Sequence, residues 1–152
     1  MNPVAVNRKA RFDYFLFDKF EAGICLTGAE VKSIREGRVN LKDSFVRIIR
    51  NEAFLFNCHI ASYSRIQGYT EPDPARCRKL LLKRAEINRL AGQVSPKGTA
   101  IIPLSVYFKG GLVKLEIALA KGKKQFDKRE AIKRRIHDRE SRVAVKRHTR
   151  RG

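Results

Sequence analysis

The strongest constraint in the chain is a pair of alternating apolar runs joined through two glycines. Ile102, Leu104, Val106 and Phe108 share one face of an extended strand. Val113, Leu115, Ile117 and Leu119 line a second strand, with Lys114 and Glu116 pointing the other way. Between them, Lys109-Gly110-Gly111 supplies a turn, so the segment reads as a β-hairpin. Pro103 has no backbone N–H and puts the first strand at an edge or a bulge.

The rest of the body repeats this theme in shorter pieces. Residues 10–20 (ARFDYFLFDKF) are aromatic-rich and read mostly as strand. Thr27-Gly28-Ala29-Glu30 forms a capping box, in which Thr27 accepts from the amide three residues on and Glu30 reaches back. The helix it opens runs to about Glu36, stops at Gly37 and has a small apolar side of Ala29, Val31 and Ile34. Two β-like runs follow, 44–50 and 53–60, joined at Asn51-Glu52 as a hairpin. In the second, Phe54, Phe56, Cys58 and Ile60 alternate with Ala53, Leu55, Asn57 and His59. Residues 61–76, with Gly68, Pro72 and Pro74, read as a loop. KLLLK at 79–83 is a short extended run. Residues 84–91 form a helix with Ile87, Leu90 and Ala91 on one face, closed by Gly92.

About six short antiparallel strands and two small helices therefore fall in about 110 residues. A mainly β fold of this size is expected to close, because closure removes exposed strand edges. The expected architecture is a closed antiparallel barrel resembling the oligonucleotide-binding fold, with small peripheral helices.

Charge points to the partner. The chain has 152 residues, 34 Lys and Arg against 15 Asp and Glu, and a net charge of +19. Such a chain attracts polyanions. It has no apolar span suited to a membrane and no export signal over residues 1–11, so nucleic acid in the cytoplasm is the expected setting. The charge is uneven. Residues 121–152 hold fourteen Lys or Arg and four Asp or Glu, a net of +10, leaving +9 for residues 1–120. The composition changes near Ala120, which divides a body, 1–120, from a basic tail, 121–152.

Enzyme patterns are missing from the sequence. It contains no GxxxxGK[ST], no GxGxxG after a strand, no GxSxG and no metal-spaced His pair. His59, His137 and His148 lie in separate segments and read as solvated. Cys25, Cys58 and Cys77 are an odd number without ligand spacing, and read as buried or reduced thiols. No metal or cofactor is expected, and the chain is read as a binding protein. A small basic ribonuclease is the enzyme alternative, since scattered His, Lys and carboxylates suffice for some.

Cationic surface interleaved with aromatics remains. Arg8, Lys9 and Arg11 lead into Phe12 and Tyr14, the mixture that grips phosphates and stacks on unpaired bases. Phe12 and Tyr14 divide evenly between core and stacking platform, while Phe15 and Phe17 read as core. After the last strand, Lys121, Lys123 and Lys124 surround Gly122, which reads as a flexible joint. Ile132, Ile136 and Val143 then fall close to one helical face. Alone this segment buries too little to fold, so the tail is expected to be disordered by itself, and it reads either as a solvating, nonspecific basic tail or as a segment that folds as a helix on a large RNA.

Several stretches together resemble one family. KARFDY (9–14), FEAG (20–23), LTGAEVKSIREG (26–37), NLKDS (40–44), EAFLFN (52–57), RKLLLKRAEINRL (78–90) and AKGKKQFDKRE (120–130) look like the SsrA-binding proteins, or small protein B, of bacterial trans-translation. The match is collinear from about residue 7 to residue 135. The resemblance implies a monomer that binds the tRNA-like domain of transfer-messenger RNA (SsrA). It implies delivery, with the elongation factor Tu complex as an indirect partner, to ribosomes stalled without a usable codon. The body would stand where an anticodon arm stands, at the small-subunit decoding centre. The tail would probe the empty mRNA channel.

Position by position, the family's RNA-binding residues fall on Glu21, Leu81 and Lys83. Its basic positions near the RNA elbow fall on Arg8, Lys9, Lys114, Gly122, Lys123 and Lys124, and its accommodation motif on Asp127, Lys128 and Arg129. Phe12, Lys83 and Phe126 depart from the His, Asn and His or Tyr often found in the family. Stacking survives at Phe12 and Phe126, and phosphate contact replaces amide recognition at Lys83. The alternative in another class is a structural ribosomal protein with a basic extension.

Overall fold

The computed structural model describes residues 2–62, 73–94 and 98–123. In chain order the elements are β1 (Ala5–Val6), α1 (Arg8–Asp13), β2 (Tyr14–Ile24), α2 (Gly28–Arg35), β3 (Val39–Asn40), β4 (Phe45–Ile49), β5 (Glu52–Phe56), β6 (His59–Ile60), β7 (Arg78–Leu81), α3 (Arg84–Gln93), β8 (Thr99–Lys109) and β9 (Leu112–Gly122). Every strand pair is antiparallel. Strands β8, β4, β5, β7, β2 and β9 hydrogen-bond in that order, and β9 returns to β8. The closed antiparallel arrangement expected from the sequence is present as this ring of strands. β1 lies along the edge of β8, and β3 and β6 form a separate pair.

The β8–β9 hairpin forms as expected. Gly110 (φ 58°) and Gly111 (φ 79°) both take left-handed backbone, which a two-residue turn between twisted strands needs and a Cβ resists. Pro103 marks a bulge. Ile102 pairs with Ala118 and Pro103 with Ile117, but Ser105 then pairs with Glu116, leaving Leu104 as the extra residue. The expected single apolar face of β8 is thereby split. Ile102 and Leu104 enter a small cluster with Ala10, Ala118 and Ala120. Val106 joins the main core with Leu55, Leu80, Leu115, Ile117 and the helix residues Ile34 and Leu90.

Other expectations need correction. The stretch read as strand from residue 10 begins as helix α1, and β2 starts only at Tyr14. Asn7 is the reason. Its side chain accepts from the Ala10 N–H at 3.2 Å, which starts a helical turn that local strand propensity would not. The first hairpin turns at Arg50-Asn51, both with positive φ, one residue before the expected Asn51-Glu52. In β5 the buried residues are Ala53 and Leu55. Asn57, at φ 59°, breaks the strand and resets its phase, so that Cys58 and Ile60 face the core. Helix α3 passes through Gly92 to Gln93. The capping box of α2 forms as expected, and the helix ends at Arg35. Of the expected 61–76 loop, residues 63–72 lie outside the described residues.

One buried feature had no counterpart in the sequence reading. Glu30, the capping-box carboxylate, is 5% exposed and meets Arg78, which is fully buried. Arg78 Nε donates to Glu30 Oε2 at 2.6 Å. Its Nη1 donates to the Cys58 carbonyl at 2.7 Å, and its Nη2 to the Pro74 carbonyl at 2.9 Å. Arg76 donates to both Glu30 oxygens from the more exposed side. Burial opposes ionisation of Glu30, but Arg76, the Thr27 N–H and Arg78 outweigh it and hold the carboxyl below its usual range.

Asn7 also fastens α1 to the bulge. Its backbone N–H donates to the Leu104 carbonyl at 2.7 Å, and its Nδ2 donates to the Pro103 carbonyl at 3.0 Å. Asn7→Ala removes both side-chain roles and strands a buried carbonyl. The expected cost is about 1–3 kcal/mol, read as a lower urea midpoint with an unchanged slope. An unchanged midpoint would show that the cap does not hold α1.

Candidate nucleic-acid interface

Strand β2 is the spine of the candidate interface. Its alternate residues Phe15, Phe17, Lys19 and Glu21 are exposed. Phe15 and Phe17, expected in the core, are 45% and 52% exposed. The strand's phase decides this, because the intervening Leu16 and the later Phe20 take the inward positions. A register shift between Leu16 and Lys19 bulges the strand against β9.

Toward its C-terminal end, β2 borders an open groove of about 550 Å³. Glu21, Leu81, Lys83 and Lys114 all line it. The pairing explains how three segments distant in sequence meet. Gly23 is opposite Leu81 of β7 on one side and Lys114 of β9 on the other. A Cβ on Gly23 would sit 3.2 Å from the Leu81 Cβ, so glycine lets Leu81 lean over β2. Leu81 itself is 54% exposed, an apolar surface at the groove. Lys83 is the N-cap of α3, where its backbone N–H donates to Glu86 Oε1 at 3.0 Å.

Glu21 does not stand alone. The Tyr107 hydroxyl donates to Glu21 Oε2 at 2.5 Å, and Lys109 Nζ donates to Oε1 at 3.2 Å. The Tyr107 bond is the main reason that the Glu21 carboxyl is held below its usual range, followed by Lys109. Burial, then the bond to Glu21, pushes the Tyr107 phenol well above its usual value. At neutral pH the pair is a carboxylate receiving from a protonated phenol. Neither Tyr107 nor Lys109 was expected as a site residue. The signal was present in part: the Gly-Gly hairpin register puts Tyr107 directly opposite Lys114.

The remaining expected residues gather at the other end of β2. Arg8, Lys9 and Phe12 lie on α1, and Tyr14 opens the strand opposite Gly122. Arg8 and Lys9 are exposed, whereas Phe12 and Tyr14 are half-buried. Tyr14 packs on the small cluster beneath α1. Lys9 Nζ lies 3.9 Å from Asp13 and 3.6 Å from Asp43, long surface pairs of little energetic weight. Nine residue steps along the strand take Tyr14 to Gly23, about 30 Å at the usual rise. The structure therefore forms two clusters rather than one.

Gly122, expected as a flexible joint, is the last residue of β9, and its N–H donates to the Gly98 carbonyl at 3.1 Å. The strand thus continues two residues past Ala120. Lys123 is half-buried just beyond it. Lys124, Phe126, Asp127, Lys128, Arg129, Ile132 and Ile136 lie outside the described residues.

Among the described residues, no group of three or more His, Cys, Asp or Glu is placed to hold a metal ion. No helix among them is long and apolar enough to cross a membrane. The three cysteines are free; Cys25 and Cys77 are exposed, and burial pushes the Cys58 thiol up to about 11.

Comparison with known proteins gives the family and the fold. The family model described as SmpB protein matches residues 4–147. The SsrA-binding protein of Shouchella clausii is 54% identical over 143 residues, 94% of this chain and 91% of that one. The SsrA-binding protein of Caldanaerobacter subterraneus subsp. tengcongensis is 58% identical over 137 residues, 90% and 86% of the two chains. A solved structure described as "tmRNA-SmpB: a journey to the center of the bacterial ribosome" contains a chain 44% identical to this one. It superposes with a TM-score of 0.69 over 86% of this chain and 95% of that one. The chain belongs to the SmpB protein family.

Proposed function

We propose that this chain binds the tRNA-like domain of transfer-messenger RNA and delivers it to stalled ribosomes in trans-translation. Its family membership supports the partner, and the groove beside β2 supports the mode of binding. The carrying observation is the convergence of Glu21, Leu81, Lys83 and Lys114 on one groove of a chain with net charge +19. The lysines neutralise phosphates. Leu81 offers an apolar surface to an unstacked base. A carboxylate repels phosphate, so Glu21 serves this groove by accepting from base amino groups or by positioning a neighbouring basic residue, and the first role is the one proposed.

The cluster of Arg8, Lys9, Phe12 and Tyr14 supplies a second contact at the far end of β2. The body ends at Gly122, where β9 stops, and the basic tail after it enters the mRNA channel and becomes helical there. Phe126, Asp127, Lys128 and Arg129 then meet the decoding centre. The chain acts by binding, without catalysing a reaction, in the cytoplasm where ribosomes work.

Substitution in the groove tests the mode of binding. Glu21→Ala and Leu81→Ala are each expected to weaken binding to the tRNA-like domain by about tenfold, with an unchanged salt slope. Lys83→Ala and Lys114→Ala are expected to lower the slope of log affinity against log salt by about one each. Full affinity in Glu21→Ala would remove the groove from the interface.

A further inference from the structure

We propose that Tyr107 and Lys109 are positioning residues for RNA binding: they fix the Glu21 carboxylate in the orientation from which it receives base amino groups. The proposal rests on the groove reading above and adds two residues to it.

An exposed glutamate is a poor recognition element by itself. Its side chain is about two-fifths exposed here, at 38%, and each free rotor must be frozen when RNA arrives. Tyr107 and Lys109 remove that cost beforehand. Tyr107 donates to Oε2 at 2.5 Å, and Lys109 Nζ donates to Oε1 at 3.2 Å and, at longer range, to Oε2 at 3.5 Å. A carboxylate has about four acceptor sites, so these three contacts still leave room, chiefly on Oε1, for an incoming amino group.

The fold determines where these donors stand. Tyr107 pairs with Lys114 across the β8–β9 hairpin, and Lys114 pairs with Gly23 of β2. Three adjacent strands in register thus bring the phenol to Glu21, two residues from Gly23. Tyr107 and Lys109 are two apart on β8 and share a face. Tyrosine is suited to the task because only two torsions place its hydroxyl, and its raised pKa keeps the proton in place as a donor. Lys109 also offsets the negative charge that Glu21 would otherwise present to nearby phosphates.

The same arrangement has a second reading, in which Tyr107 or Lys109 touches RNA directly. A double-mutant cycle on the full chain separates the two. Tyr107→Phe deletes only the hydroxyl and leaves the ring in place. It is expected to weaken binding to the tRNA-like domain by about fivefold to tenfold in the otherwise native chain. In the Glu21→Ala background the same change is expected to cost less than about twofold. Lys109→Met should follow the same pattern with no change in salt slope, whereas a phosphate contact would lower the slope by about one. Carboxyl NMR of free Tyr107→Phe should show Glu21 titrating closer to its usual range. Equal losses in both backgrounds would overturn the proposal, as would native affinity in Tyr107→Phe beside a weakened Glu21→Ala. If Glu21→Ala itself binds normally, the groove reading fails and this proposal fails with it.

Discussion

Replacing Glu30 by Ala is expected to cost about 3–5 kcal/mol of folding stability, a large part of what a domain of this size has. The reason is Arg78. It is fully buried, and its charge is compensated there by Glu30. Removing the carboxylate takes the acceptor from Arg78 Nε and leaves a buried guanidinium charge among carbonyls that satisfy only its Nη groups. The same change also breaks the capping box of α2, because Glu30 Oε1 accepts the Thr27 N–H at 2.9 Å. The exposed pair of Lys79 and Glu52, at 3.5 Å, gives the control. Glu52→Ala is expected to cost less than about 1 kcal/mol. Urea unfolding of both variants reads the contrast. Similar small shifts in both would show that Arg78 does not depend on Glu30.

The sign of the pH dependence follows from the lowered Glu30 pKa. A carboxyl held below its unfolded value stabilises the fold fully above that unfolded value. The contribution is lost as pH falls through the lower, folded value. Native stability should therefore fall on acidification, and Glu30→Ala should flatten that fall.

Truncation after Lys123 is expected to abolish peptide tagging on stalled ribosomes while leaving most of the RNA affinity. Residues 124–152 carry twelve Lys or Arg and four Asp or Glu, a net of +8. Their loss should weaken binding to the tRNA-like domain about threefold to tenfold at low salt, and less as salt rises, because that share is counterion release. With the tail acting in the mRNA channel as proposed, tagging of the stalled peptide should disappear at every salt concentration. The cut belongs after Lys123 rather than Ala120. Lys121 and Gly122 pair with Phe15 and Tyr14, so a cut at Ala120 removes the end of β9 and disturbs β2. Tagging by the truncated chain would refute the tail's role.

Local chemistry made some of this fold legible in the sequence, and long-range pairing hid the rest. The Gly-Gly turn and the Thr27–Glu30 box are written in adjacent residues, and both form as read. Pro103 announced a bulge, but not that the bulge would divide Ile102 and Leu104 from Val106. Residues 8–13 have no capping box, and their aromatic neighbours favour strand, so α1 was hidden until the Asn7 bonds were seen. Phe15 and Phe17 read as core because hydrophobicity does not say which face of a strand is covered.

For the site, the family resemblance picked out Glu21, Leu81, Lys83 and Lys114, and the structure brings them together. Their convergence depends on Gly23 pairing with both β7 and β9, which no local pattern states. Tyr107 was missed for the same reason: its partner Glu21 lies 86 residues away. Glu30 and Arg78, 48 residues apart, look in sequence like two ordinary surface charges.

The most direct test of the central claim is RNA binding by filter retention over a range of salt. It compares the tRNA-like domain of transfer-messenger RNA with an ordinary tRNA and with a ribosomal RNA fragment. The groove account predicts a preference for the tRNA-like domain that persists as salt rises, because contacts to bases outlast counterion release. Equal affinity for all three RNAs, collapsing together with salt, would contradict it and leave charge alone as the source of binding.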